Sequence, residues 1–183
     1  MKKIISVLTA TRAEYGLLKP IIEKLMKIKD FDVRIAVTGM HLSKEFGYTY
    51  KEIEQDEFSI DTKIDILQES DTPYGVSVTM SNAIIGFAKY FSQLKPDLLL
   101  VLGDRYETIA VCLAAMNERI PIAHLYGGET TEGAIDESIR HAITKMSYLH
   151  FTSTEEYRKR VIQLGESPDR VFKVGAIGIE NIM

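Results

Sequence analysis

Cysteine is nearly absent: Cys112 stands alone in 183 residues, which excludes an internal disulfide. It falls inside a helical apolar pattern and reads as a buried thiol rather than a nucleophile. Long hydrophobic runs are missing too, since none approaches the ~18 residues of a membrane span. The opening Met1-Lys2-Lys3-Ile4-Ile5-Ser6-Val7 has the charge of a secretion signal, but its apolar part is only a strand long and runs on toward Thr11-Arg12-Ala13-Glu14. A cytoplasmic protein is the expectation. Positive charge is not in excess: 22 Lys and Arg against 26 Asp and Glu leave −4, so there is no basic footprint for nucleic acid or an anionic membrane. Neither a GxGxxG nor a Walker pattern occurs, and neither a dinucleotide fingerprint nor a P-loop is supported. An HxxxH pair or cysteine cluster that would mark a metal is also lacking. Ser138 and Ser153 have no evident base partner, which leaves acyl transfer without support. Repeats, low-complexity tracts and linkers are not found.

What is present is an ordinary globular composition, 45% apolar and 26% charged, in a length that suits one domain, residues 1–183, with a full core. Short apolar runs predict strands at 4–8, 32–38, 59–66, 98–102, 120–125, 148–152 and 171–174. Helical patterns fill the intervals. Residues 14–28 carry Leu17, Leu18, Ile21, Ile22, Leu25 and Ile28 on one face, with Pro20 tolerated in the first turns. Residues 48–57 form a polar helix. The long helix 75–94 has Val78, Ile84, Ile85, Ala88, Phe91 and Leu94 as its apolar stripe. Further helices run to about residue 118, from 136 to 145, and from Ser153-Thr154-Glu155-Glu156 to Leu164. A last helical pattern begins at Gly178 and stops, as in a chain cut short. Regular alternation of strand and helix predicts an α/β fold with a doubly wound, mostly parallel sheet.

The stretch 96–141 organises the rest. Apolar run 98–102 stops at Gly103 and meets Asp104 and Arg105; run 120–125 stops at Gly127-Gly128 and is followed by Glu129, Glu132, Asp136, Glu137, Arg140 and His141. Ligands of open α/β sheets bind outside the carboxyl ends of the strands, which makes this edge the expected site. Arg12 and His41 lie just past the first and second strands and join the candidates. The turn before the first helix offers backbone N–H groups and a positive helix end, an expected anion site. Arginine grips phosphate in a bidentate manner, and crowded carboxylates raise one another's pKa values, as proton transfer near neutral pH needs. A phosphorylated ligand and a moving proton follow. The blander alternatives are a solvated Arg12, a loop-bonding His41, and Glu132 and Glu137 as helix-end charges paired with Arg140 and His141.

The stretches TATRAEYG, VTGMHLS, LGDRYE and GGETTEGAIDESIRHAITKMSYLHF resemble, in order and over essentially the whole chain, the N-terminal half of UDP-N-acetylglucosamine 2-epimerases. The wording is closest to the hydrolysing type used in sialic-acid-type sugar synthesis. The resemblance implies two Rossmann-like domains of the GT-B kind with the site in the cleft between them. This chain resembles only the first, and the UDP-binding second domain, with a catalytic histidine, is missing, so the fragment alone is expected to be inactive. It implies conversion of UDP-GlcNAc and water to ManNAc and UDP, by elimination of UDP to a glycal and hydration. By resemblance Arg12, Ala13 and Arg105 contact UDP, Asp104 and Asp136 are the acid/base carboxylates, and Glu137, Arg140 and His141 orient them. No cofactor or metal is implied, and self-association into a homo-oligomer is. Many relatives carry glutamate where this chain has Tyr126, and Glu129 is the candidate replacement. The alternatives are the same reaction on a UDP-2,4-diacetamido-6-deoxy sugar, a non-hydrolysing 2-epimerase, and a non-catalytic nucleotide-sugar-binding module.

Overall fold

A computed structural model describes residues 1–68, 70, 72–131 and 135–178. Glu132 and the helical pattern from Gly178 onward, apart from Gly178 itself, lie outside the described residues. The elements are β1 (Lys3–Thr9), α1 (Arg12–Met26), β2 (Phe31–Thr38), a 3-10 turn (Gly39–Leu42), α2 (Tyr50–Gln55), β3 (Ile60–Ile64), α3 (Pro73–Leu94), β4 (Leu98–Leu102), α4 (Tyr106–Asn117), β5 (Ile122–Leu125), α5 (Asp136–Met146), β6 (Leu149–Thr152), α6 (Glu155–Gln163), a second 3-10 turn (Pro168–Arg170) and β7 (Val171–Lys173).

All strand pairs are parallel, in the order β3-β2-β1-β4-β5-β6-β7. The order reverses between β1 and β4, and the expected doubly wound sheet is observed. A sheet covered on both faces needs strands apolar at every position, and Leu98–Leu102 shows how it is used. Leu99 and Val101 join one core with α3, α4 and α5, through Phe87, Phe91, Ala110, Val111 and Ile143. Leu100 and Leu102 join the other with α1 and α2, through Tyr15, Leu18, Ile22 and Ile53. The period of two in a strand separates the layers. Cys112 is fully buried in the first core, and burial pushes its thiol up.

The two faces are covered unequally. Beside α1 lies a groove of about 410 Å³ with an apolar floor of Leu98, Leu100, Ala123, Leu125 and Phe151, walled by Ile21 and Leu25 and closed by Val174, Ala176 and Ile177.

Several element boundaries and one helix face differ from the sequence pattern. α1 starts at Arg12 because Thr11 caps it, and it ends before Ile28, which is 43% exposed. α2 is shorter than residues 48–57, since Tyr48 and Glu57 hold φ of 52° and 63°, a left-handed backbone that no helix continues. On α3 the buried line is Gly75, Thr79, Ala83, Phe87 and Phe91, and Ile85 is 71% exposed. The small residues of that line escape a hydropathy reading. Among the described residues no helix is long and apolar enough to cross a membrane.

Candidate functional site

The site builds on the carboxyl ends of β1, β4 and β5, neighbours in the sheet. β4 ends at Gly103, whose φ of 78° turns the chain sharply where a side chain would be strained. That turn presents Asp104. Arg140, from α5, donates through Nη2 to Asp104 Oδ2 and, at 3.0 Å, to Thr131 Oγ1. The Arg140 side chain is 7% exposed and that of Asp104 20%. Arg140 Nε and Nη1 have no partner among the described residues. A buried guanidinium behind a half-buried carboxylate fixes the carboxylate's orientation and leaves donors over.

Arg105 stands at the start of α4 without a side-chain cap bond and is committed locally. Its Nη2 is 2.7 Å from Glu107 Oε1 and its Nε 3.1 Å from Oε2, a bidentate grip on a fully buried carboxylate. The β1–α1 turn differs from the expected open anion site. Its amides serve a capping box: Thr11 Oγ1 accepts from Glu14 N, while Glu14 Oε2 accepts from Ala10 N at 2.7 Å and Thr11 N at 3.1 Å. The turn's own carboxylate sits where an anion would. Burial raises Glu14 to about 7 against the pull of those amides and of Arg105. Both amides bond the same oxygen, so Oε1 is left to carry the proton. Arg12 points outward, 72% exposed, with Nε 2.8 Å from Glu52; Ala13 is exposed beside it.

The loop from β5 to α5 is held at three consecutive residues. Ser153, at the end of β6, donates to Glu129 at 2.6 Å; Arg160, on α6, donates to Thr130; and Arg140 donates to Thr131. Asp136 and Glu137 open α5, where the helix dipole favours negative charge. Glu137 lies 2.8 Å from Arg160 and 3.4 Å from His141, and both lower its pKa, Arg160 the more. Asp104, Glu129 and Glu137 therefore pair with cations or a hydroxyl rather than with one another. The carboxyl that burial moves into the neutral range is Glu14, which the sequence reading passed over although Thr11-x-x-Glu14 spells a capping box.

His41 is not at the surface of the site. It is fully buried, with Nε2 2.9 Å from Thr9 Oγ1 and Nδ1 2.8 Å from Thr49 Oγ1, and burial lowers it to about 4. It ties β1 to the segment before α2 and offers no ring face to a ligand. Tyr126 has φ of 66°, and its hydroxyl accepts from Ile177 N at 2.8 Å. His124, Arg160, Thr130 and Thr131 were missed: each is set by partners distant in sequence.

The family model for UDP-N-acetylglucosamine 2-epimerase matches residues 23–183. Over 176 residues the chain is 49% identical to the GDP/UDP-N,N'-diacetylbacillosamine 2-epimerase (hydrolyzing) of Campylobacter jejuni, covering 96% of this chain and 46% of that protein. It is 46% identical to the polysialic acid biosynthesis protein P7 of Escherichia coli, covering 100% of this chain and 46% of that protein. The chain thus spans about half the length of the curated relatives it matches. The crystal structure of UDP-GlcNAc 2-epimerase from Neisseria meningitidis bound to UDP-GlcNAc shares the fold, with a TM-score of 0.86 at 24% identity over 99% of this chain and 48% of that one. The sheet order, the strand-end cluster and the match over most of its length agree: the chain belongs to the UDP-N-acetylglucosamine 2-epimerase family.

Proposed function

We propose that this chain is the N-terminal half of a hydrolysing UDP-GlcNAc 2-epimerase, which turns UDP-GlcNAc and water into ManNAc and UDP. The observation that carries the reading is Asp104 at the end of β4, held by the buried Arg140. In this reading the C2 proton is removed and the C1–O bond to UDP breaks on the opposite side, leaving a glycal. Water then adds at C1 and a proton returns to the other face of C2. Asp104 and Asp136 move those protons, with Glu129 on the neighbouring loop as the third carboxylate. By the family resemblance Arg105, Arg12 and Ala13 contact the UDP part, which requires Arg12 and Arg105 to leave Glu52 and Glu107, and Glu137, Arg140 and His141 orient the carboxylates. His41 contributes through Thr9, at the end of β1, rather than by contact. The uridine contacts and the remaining catalytic groups belong to a second domain, so the 183-residue chain alone does not turn over. A cytoplasmic, self-associating enzyme that supplies sialic-acid-type sugar synthesis completes the proposal.

A second reading, the same reaction on a UDP-2,4-diacetamido-6-deoxy sugar, is favoured by the 49% identity to the Campylobacter jejuni protein. Tyr126, where glutamate is common in relatives, points the same way. The test is a product assay of the full-length protein in D2O with each sugar nucleotide. Free UDP with one deuterium at C2 of the released sugar, from one substrate only, supports elimination and hydration and names the sugar. A UDP-linked epimer without free UDP selects the non-hydrolysing reaction. No UDP and no deuterium from either sends the reading to a binding module.

A further inference from the structure

The unit formed by β6 and α6 carries none of the candidate site residues, yet it holds the loop that carries Glu129. Gly128 explains why α6 sits so close. Its φ is 81°, and a Cβ there would stand 2.5 Å from the Tyr157 carbonyl oxygen and 3.0 Å from Val161 Cγ2. The α6 backbone is packed directly on the start of the loop. Arg160, three residues after Tyr157, follows on the same side of the helix.

We infer that Arg160 is a positioning residue for the proposed proton transfer. One guanidinium spans two elements: Nη1 bonds Thr130 Oγ1 on the loop, and Nη2 lies 2.8 Å from Glu137 Oε1 on α5. The loop residue before Thr130 is the candidate acid/base Glu129, and the residue before Glu137 is Asp136. Holding Thr130 and Glu137 in one fork therefore sets the separation between the two carboxylates beside them. Ser153 and Arg140 secure the flanking loop positions, Ser153 at Glu129 and Arg140 by joining Thr131 to Asp104, but neither ties the loop to the start of α5. Only a planar fork with nitrogens at fixed spacing spans both partners at once; an ammonium is a point donor.

This inference rests on the epimerase reading for its catalytic consequence and on the geometry alone for the structural one, and the test separates them. In the full-length protein, Arg160→Gln and Arg160→Lys are compared with wild type for kcat, KM, thermal midpoint and amide exchange at Thr130 and Thr131. The expected result for Arg160→Gln is a kcat lower by about 10- to 100-fold, the scale of a small misplacement of catalytic groups. KM stays within about twofold. Exchange at Thr130 and Thr131 speeds up, and Arg160→Lys recovers only part of the rate. An unchanged kcat in Arg160→Gln overturns the inference. So does a loss that follows the thermal midpoint with exchange at those amides unaltered. If wild type does not turn over either sugar nucleotide, the epimerase reading fails separately, and unaltered exchange in Arg160→Gln still overturns the positioning role.

Discussion

His124 Nε2 lies 2.7 Å from the carbonyl oxygen of Gly103, the residue that turns the chain into Asp104. A carbonyl only accepts, so Nε2 carries the hydrogen, and Nδ1 accepts from the Thr144 hydroxyl at 3.2 Å. The ring is neutral and fully buried, and burial drives it down to about 4. One histidine thus bolts the strand-end turn to α5. Replacing His124 with Phe leaves the Gly103 carbonyl unpaired. The expected cost is about 1–3 kcal/mol, measured by urea unfolding.

Acid lowers stability in a window that the shifted groups define. Unfolded histidine takes its proton below about 6.5, whereas His41 and His124 hold out to about 4 in the fold. Each contributes stability present above 6.5 and lost as pH falls. His150, also lowered by burial, acts in the same direction. Glu14 opposes them: unfolded it loses its proton near 4.5, folded near 7, so its contribution fades as pH rises between those values. Between pH 6 and 5 the histidines win. The unfolding free energy falls by ~1.4 kcal/mol per pH unit for each net proton. Glu14→Gln removes the opposing group and steepens the fall, a difference that urea midpoints across that window measure.

Gly128→Ala drives a methyl group onto the Tyr157 carbonyl and into a left-handed backbone. A loss of about 1–3 kcal/mol is expected in denaturant unfolding. Gly127→Ala costs less, because its new atom meets the side chains of His124 and Thr144 at 3.1 Å and its φ is not positive.

Tyr126→Phe leaves the Ile177 amide without its acceptor. The expected cost is about 1 kcal/mol, with faster exchange of that amide and little change elsewhere. Unchanged exchange at Ile177 would show that water replaces the hydroxyl without loss.

Asp104→Asn keeps an acceptor for Arg140 and removes the proposed proton-transfer group. In the full-length enzyme kcat is expected to fall by about 10²- to 10⁴-fold with the fold intact. Full activity in this variant would move the chain to the non-catalytic reading.

The doubly wound parallel sheet was legible because buried parallel strands write themselves as apolar runs and their ends as abrupt charge. Leu98–Leu102 followed by Asp104 and Arg105 is the plainest instance. Among the motif residues, Asp104 pairs with Arg140, and Glu137 with His141. What the chain order concealed was partnership. Thr130 and Arg160 are thirty residues apart, and nothing local pairs them. His41 misled because a histidine past a strand end looks available, whereas two threonines and the core enclose it. Glu14 escapes the sequence pattern because that pattern starts the helix two residues late, at Glu14 rather than at Arg12 behind the Thr11 cap. Ile85 was placed in the core because hydropathy ranks isoleucine above the glycine, alanine and threonine that line the true contact.

The uneven cover of the sheet has a consequence for handling the chain. The groove beside α1 is a poorly wetted surface, and exposed apolar surface is where solution association begins. None of the groove's lining residues is a candidate site residue. A charge at Val174, 54% exposed on the groove's edge, addresses solubility while leaving Asp104 and Asp136 untouched.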